Sequence, residues 1–351
     1  MSQLLSGAVK FIRHTALYAL FSGFTFFAWA QPADEAGFRR LAVNDPVTKQ
    51  PMEAVWFYPG NVGGNTLSNF GPYHVSARNA VKMAPGRYPL IVISHGNAGS
   101  LWSHHDLATS LARQGNIVIT LSHPGDNYKD QSGAGAASTL YGRPLQISAA
   151  ITAALSNPDI RQHIDADKIA FIGFSSGGET GLLLAGGKID PSRYVSYCEN
   201  HQAEALCLAK GHIKNDSPAL APESDPRIKA WMLMAPVSAP FAPESLKTFT
   251  KPTLIFTGDK DEELSWRENA GELAKIMPAK PQLKVIPGAG HFVFLAPCST
   301  ELRNATPLLC EDPPGIDRVA VHIMIENDIT RFLSGVWQGR VQGRDVNSAG
   351  W

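Results

Sequence analysis

One stretch constrains the architecture of this chain more than any other: Lys168-Ile169-Ala170-Phe171-Ile172-Gly173-Phe174-Ser175-Ser176-Gly177-Gly178. The apolar run from Ile169 to Phe174, broken by one glycine, reads as a buried strand. It enters a Gly-x-Ser-x-Gly turn, and Glu179-Thr180-Gly181-Leu182-Leu183-Leu184-Ala185 continues helically after it. A strand-to-helix turn this tight needs small neighbours, so that the backbone can pass close by and push the Ser175 hydroxyl out at the top of a sheet. The helix then aims its first N–H groups at any negative charge developing beside that hydroxyl. A bare five-residue match also describes an ordinary glycine-rich turn. The flanking strand and helix favour a nucleophile, which then needs a base, an acid and an oxyanion hole.

The rest of the chain supplies the sheet. Phe38 to Asn44 and Pro51 to Tyr58 read as strands joined by a turn at Asp45-Pro46, and residues 59–87 as a long surface connection. Pro89 to Ser94 and Asn116 to Leu121 are strands on either side of a helix from about Ser103 to Arg113. A Gly- and Ala-rich stretch, 131–142, leads into a helix from about Leu145 to Leu155. Beyond the serine turn, residues 187–227 break the alternation and read as an insertion over the carboxyl edge of the sheet, a lid position. Ile228–Met234, Thr253–Thr257 and Gln282–Ile286 are further strands, with a helix from about Glu263 to Ile276 between the last two and another closing the fold from Ile316 to Leu333. This alternation predicts an α/β fold with a mainly parallel sheet, helices on both faces and ligands outside the strands' carboxyl ends.

The first thirty residues differ in kind. Lys10, Arg13 and His14 precede an apolar run from Thr15 to Ala30, and Ala28-Trp29-Ala30 places small residues where a signal peptidase reads. A membrane anchor is the alternative, but the run is short beside the ~20 residues of a bilayer span. The expectation is a signal peptide over residues 1–30, export to the periplasm or medium, and one domain over 31–351. Its removal takes two of the 31 basic residues and none of the 31 acidic ones, leaving 29 against 31, a formal charge of −2. Near-neutrality gives no reason to expect nucleic acid or an anionic membrane as partner. The four cysteines fall into two close pairs, Cys198 with Cys207 and Cys298 with Cys310. Disulfides suit an oxidising compartment, although four cysteines allow three connectivities; the spacings are too wide for CxxC-type zinc ligands.

A serine at its free pKa is a poor nucleophile, so a nearby base must take its proton. His291, in Pro287-Gly288-Ala289-Gly290-His291-Phe292, follows the last strand in a turn that lets the ring reach back, and it follows the serine in chain order. His95, His104, His105 and His123 precede Ser175, His201 and His212 fall in the insertion, and His322 reads as a packed or surface residue of the closing helix. The acid lies in Gly258-Asp259-Lys260-Asp261-Glu262-Glu263: Asp261 is the expected partner and Asp259 the alternative. The oxyanion hole needs two N–H donors. One is expected from Ser176 and the other from Asn97, in the loop His95-Gly96-Asn97-Ala98-Gly99, which His95 shapes. Leu101, Trp102, Phe292 and Phe294 suit an acyl pocket or core packing equally well. His104-His105-Asp106 lies on a helix where adjacent side chains do not share a face, and reads as solvated rather than as a metal site.

Taken together, Ser94-His95-Gly96-Asn97, Ser122-His123-Pro124-Gly125-Asp126, the serine turn and Gly290-His291-Phe292 resemble the α/β-hydrolase superfamily. The closer likeness is to bacterial dienelactone-hydrolase-like proteins and to the platelet-activating-factor acetylhydrolase group. Dienelactone hydrolases use a cysteine nucleophile where this chain has Ser175, so their lactone substrate does not carry over. The acetylhydrolases place the acid after the strand that follows the nucleophile helix. That strand here ends Met232-Leu233-Met234-Ala235-Pro236 without one, which sends the role to Asp261. The resemblance implies hydrolysis of a small-molecule carboxylic ester through a serine acyl-enzyme, without cofactor or metal. A peptidase or acyltransferase of the same fold, or a non-catalytic binding protein, is the rival expectation.

Overall fold

The strand that leads into Ser175 lies in the middle of the sheet because its residues are apolar on both faces. The structure is a computed structural model that describes residues 33, 35–61, 67–207, 211–221 and 223–341. The expected signal peptide, 1–30, lies outside the described residues. In chain order the elements are β1 (Glu35–Arg40), β2 (Val43–Asn44), β3 (Pro51–Met52), β4 (Ala54–Gly60), β5 (Ser68–Phe70), β6 (Tyr73–Val75), β7 (Arg78–Asn79) and β8 (Tyr88–Ser94). Then follow α1 (His105–Arg113), β9 (Ile117–Leu121), α2 (Ala137–Ser156), β10 (Ile164–Phe174), α3 (Ser176–Leu184), α4 (Pro191–Asn200) and β11 (Ile228–Met234). The chain continues through β12 (Thr253–Gly258), α5 (Glu272–Ile276), β13 (Gln282–Ile286), α6 (Thr300–Ala305), α7 (Pro307–Cys310) and α8 (Arg318–Trp337).

A nine-stranded sheet runs in the order β13-β12-β11-β10-β8-β9-β4-β1-β7. From β13 to β9 every pairing is parallel, while β4 pairs antiparallel with both β9 and β1. Side chains of a strand alternate between faces, and the core divides accordingly. Leu90, Val92, Phe171 and Leu233 pack with α2 and α3, whereas Ile91, Ile93, Ile172 and Met232 pack with α1 and α8. Each such side chain contributes about 1.5–3 kcal/mol by leaving water. From β8 the chain crosses over α1 to β9 on one side, then returns over α2 to β10 on the other. The strand order therefore reverses at β8, and the crevice beyond the carboxyl ends of β8 and β10 is where such sheets bind ligands.

Several local expectations change. The predicted 38–44 strand divides into β1, paired with β4, and β2, which pairs only with β3. The connection 59–87 folds a β5–β6 hairpin and buries Val75 and Ala77 fully. Helix α2 begins eight residues before the expected Leu145 and carries Pro144 inside it. Regular helix after β12 begins later than Glu263, because side chains take the N–H groups there. The Asp261 carboxylate accepts from Glu263 and Leu264, and Tyr197 and Glu204 accept from Ser265.

The end of β8 and the start of α3 meet at backbone contact. A methyl on Gly177 would lie 2.1 Å from the Ser94 carbonyl oxygen, and one on Gly173 would lie 2.3 Å from that of Gly177. Neither backbone can yield without displacing a central strand. Gly177→Ala is expected to cost about 2–4 kcal/mol, read as a lower Tm. Gly290→Ala, whose new methyl would meet nothing nearer than 3.6 Å, is expected to shift stability by less than about 1 kcal/mol.

Candidate active site

Ser175 occupies the step between β10 and α3 with φ 54° and ψ −118°, a left-handed conformation that costs a side-chain-bearing residue about 1–3 kcal/mol. A serine at a helix N-cap ordinarily spends its hydroxyl on the first free N–H groups. Ser175 does not: its side chain makes no capping bond, and the residue is only partly buried. The turn is held by backbone instead, with Ser175 N–H donating to the Met234 carbonyl at 2.9 Å and the Ser175 carbonyl accepting from Gly178 at 2.8 Å and Val237 at 3.2 Å. Among the described residues, the strained turn thus leaves the hydroxyl uncommitted.

His291 begins a short 3-10 turn, His291–Phe294, after β13. Its Nδ1–H donates to Asp261 Oδ2 at 2.8 Å. The other Asp261 oxygen accepts from the Glu263 and Leu264 amides at 3.0 and 2.9 Å, so the carboxylate is fixed by the turn it caps. Both side chains are buried, at 5% and 1% exposure, which keeps water from competing for the pair. Asp259 lies elsewhere: its carboxylate accepts from Gly288 N–H at 2.6 Å and tightens the turn leading to His291. The Phe174 ring lies 4.9 Å from the imidazole and supports it from the end of β10. Among the described residues no hydrogen bond joins Ser175 Oγ to His291, a contact that often tightens only when substrate is bound.

The loop after β8 lies beside this pair. Asn97 is exposed, while the next residue turns left-handed (Ala98, φ 53°) and donates its N–H to Asp126 Oδ1 at 2.9 Å. Ser176, first residue of α3, carries an N–H without an intrahelical acceptor. The structure therefore brings Asn97, Ser176 and Ser175 to the carboxyl ends of neighbouring strands.

A buried polar network that spacing did not reveal fixes the loop. Arg143, on α2, donates to Asp126 at 2.5 Å, to Ser94 Oγ at 3.2 Å, to the His95 carbonyl, and to Thr180 Oγ1 on α3 at 3.0 Å. His123 bridges Ser94 Oγ and Gln146 Oε1 at 2.9 and 2.7 Å. His95 Nδ1–H donates to the Gly96 carbonyl, and Nε2 accepts from the His123 amide. Burial, followed by the Arg143 charge, holds both histidines well below the usual imidazole range, so they act as neutral hydrogen-bonding groups. The sequence signal was the strand exit Ser122-His123-Pro124-Gly125-Asp126; Arg143, just after the Gly- and Ala-rich stretch, gave none. The His104-His105-Asp106 run was expected to be solvated, but His104 and His105 are buried at 2% and 8% exposure; His104 lies against the His291 turn through the Phe294 carbonyl, and His105 meets Tyr73 at the cavity.

A family model of the alpha/beta hydrolase fold matches residues 89–194, which span β8 to α4. A ferulic acid esterase from Streptomyces cinnamoneus is similar in structure, with a TM-score of 0.58 at 16% identity, covering 91% of this chain and 95% of that one. A dienelactone hydrolase-like promiscuous phosphotriesterase from metagenomic libraries gives a TM-score of 0.52 at 15% identity, with 86% and 99% covered. A comparison with curated proteins gives no match. This chain has the α/β-hydrolase fold.

On this hydrolase fold a cavity of about 680 Å³ opens against the Gly96–Gly99 loop that follows β8. Phe70 and Trp102 stack in its wall at 4.2 Å, and Leu101, Phe292, Leu302 and Leu309 add apolar surface. Phe294 belongs to the core. Disulfides join Cys298 to Cys310 at the cavity's edge and Cys198 to Cys207 in the insertion, the two local pairings that proximity in sequence suggested. The insertion lies against the turn after β12, where Tyr197 OH donates to Glu204 at 2.5 Å and accepts from Asn269 at 3.0 Å. Among the described residues no cluster of His, Cys, Asp and Glu could hold a metal ion, and no helix is long and apolar enough to cross a membrane.

Glu179 completes the surroundings of Arg143. Burial pushes it up to about 8 although Arg143 draws it down, so it is protonated near neutrality. The native state then holds a proton that the unfolded chain has released above about 4.5, and stability falls as pH rises from there through about 8. Glu179→Gln, neutral at every pH, is expected to melt above wild type at pH 9 and close to it at pH 4, as thermal denaturation at the two pH values would report.

Proposed function

We propose that this protein is an exported serine hydrolase, one hydrolase domain over residues 31–351, that cleaves carboxylic esters through an acyl-enzyme at Ser175. The observation that carries the reading is what meets beyond the carboxyl ends of the strands. An uncommitted Ser175 hydroxyl on a strained turn directly follows Phe174, whose ring lies 4.9 Å from an imidazole whose Nδ1 is bound to the buried Asp261. Ser175 Oγ attacks the ester carbonyl carbon as its proton passes to His291 Nε2. Asp261 holds the tautomer and stabilises the imidazolium. The carbonyl oxygen, now an oxyanion, accepts from the Asn97 and Ser176 N–H groups, and each donor of this kind is worth about 3–4 kcal/mol. The tetrahedral intermediate collapses, and the alcohol leaves with the proton from His291. Water then gives a proton to His291 and attacks the acyl-enzyme, releasing the acid and restoring Ser175.

The cavity beside the oxyanion loop supports an apolar acyl group as its occupant, since Phe70, Trp102 and Phe292 offer far more apolar than charged surface there. Two disulfides and the apolar leader support periplasmic or secreted placement. The chemistry needs no cofactor.

Assays on p-nitrophenyl esters of increasing acyl length test the reading. Wild type is expected to hydrolyse them with a chain-length optimum set by the cavity. Ser175→Ala is expected to lose at least about 10³-fold in kcat. No hydrolysis by wild type, or full activity in the variant, would sink the proposal. Asp261→Asn is expected to cost far more activity than Asp259→Asn, and the reverse order would transfer the acid's role to Asp259.

A further inference from the structure

His322 lies on α8, far from the serine in sequence, and is buried at 6% exposure. Its two ring nitrogens meet acceptors that have no proton to give. Nδ1 faces Asp106 Oδ2 at 2.5 Å, and Nε2 faces the Val293 carbonyl oxygen at 2.7 Å. A neutral imidazole carries one N–H and would leave one of those contacts without a hydrogen, whereas an imidazolium satisfies both. Val293 lies two residues after His291 in the same 3-10 turn. The next carbonyl, of Phe294, accepts from His104 Nδ1 at 3.0 Å, and Ala296 N–H donates to the Ser103 carbonyl at 2.9 Å. The turn that bears His291 is thus tied from behind by α8 and by the start of α1.

We propose that His322, held as an imidazolium between Asp106 and the Val293 carbonyl, is a positioning residue that fixes the His291 turn and makes catalysis depend on its protonation. The inference rests on the reading of His291 as the base. It touches neither substrate nor the reacting atoms. The charged and titratable groups around His322 are Asp106 and His105 on α1, His104 at its N-cap, and Arg318 and Glu326 on its own helix. Burial opposes the charge most strongly, but Asp106 and the Val293 carbonyl together outweigh it and raise His322 above the usual imidazole value. Burial likewise acts on Asp106 and is outweighed by His322, which holds the carboxyl well below its usual range. Burial holds His104 down at about 4, so it serves as a neutral donor to Phe294.

The sign follows. A histidine raised in the folded state contributes fully below the unfolded value of about 6.5, and the contribution is lost as pH rises through the folded value. Deprotonation leaves one acceptor without its donor, and the turn loosens on the alkaline side. A displacement of a reacting group by about 1 Å can cost ~10²-fold in rate.

Three measurements test this. In kcat and KM profiles from pH 6 to 10, His322→Gln is expected to lower kcat about tenfold or more while KM stays within about twofold, the signature of lost alignment rather than lost binding. Asp106→Asn is expected to move the alkaline limb of the wild-type profile about one unit or more to lower pH. Profiles for both variants that superimpose on wild type would overturn the proposal. Nitrogen-15 NMR of Ser175→Ala reads the ring without any turnover. Two protonated ring nitrogens on His322 at pH 7.5, with the amide signals of residues 291–294 displaced when His322→Gln is added, support it; one bare nitrogen, or unmoved amides, overturns it. Absence of ester hydrolysis in wild type would strike the esterase reading and leave the NMR result to decide the tie.

Discussion

Everything at the candidate site depends on one close approach, that of the first turn of α3 to the carboxyl end of β8. Gly177 has no room for a methyl against the Ser94 carbonyl. Because the helix starts that near, Ser175 must turn through a left-handed conformation, and its hydroxyl escapes the capping bond a serine would otherwise make. The same approach lays Gly177, the residue after Ser176, against the His95 carbonyl at the start of the loop that carries Asn97. The strain is affordable because the sheet around it is apolar on both faces and its central strands are buried where they approach the turn, from Leu90 to Ser94 and from Ile169 to Phe174.

Polar order around the turn is maintained by two buried charge centres on opposite faces of the sheet. Arg143 reaches β8, the loop that follows it and α3 together, with Asp126 as its counter-ion and Glu179 kept protonated. A buried arginine with several acceptors fits such a role because its planar fork serves them in one orientation. His322 with Asp106 does the corresponding work for the turn that carries His291. Breaking either centre by removing one partner leaves a buried charge uncompensated, which is costlier than the pair is stabilising.

Much of this was legible in the sequence where the signal is local. A serine turn between an apolar strand and a helix, a histidine after the last strand and an acid turn after the strand before it each announce themselves by short-range chemistry. The Asp261 and Asp259 alternatives could not be separated that way, since both sit in the same turn; only tertiary contact shows one at His291 and the other at Gly288. Arg143, Asp106 and His322 were missed for the same reason. Their partners lie up to 216 residues away, and burial inverts the usual reading of charged residues on a helix as solvated. Helix limits shifted where side chains took over backbone N–H groups, as Asp261 does at residues 263 and 264.

The central claim is that Ser175 is a nucleophile activated by the base beside it. A fluorophosphonate ester reports this directly, because it phosphonylates an activated serine and stays attached. Mass spectrometry of the digested protein is expected to place one adduct on the peptide containing Ser175, formed in wild type and abolished in His291→Ala. An adduct on a different residue, or equal labelling in the presence and absence of His291, would contradict the account.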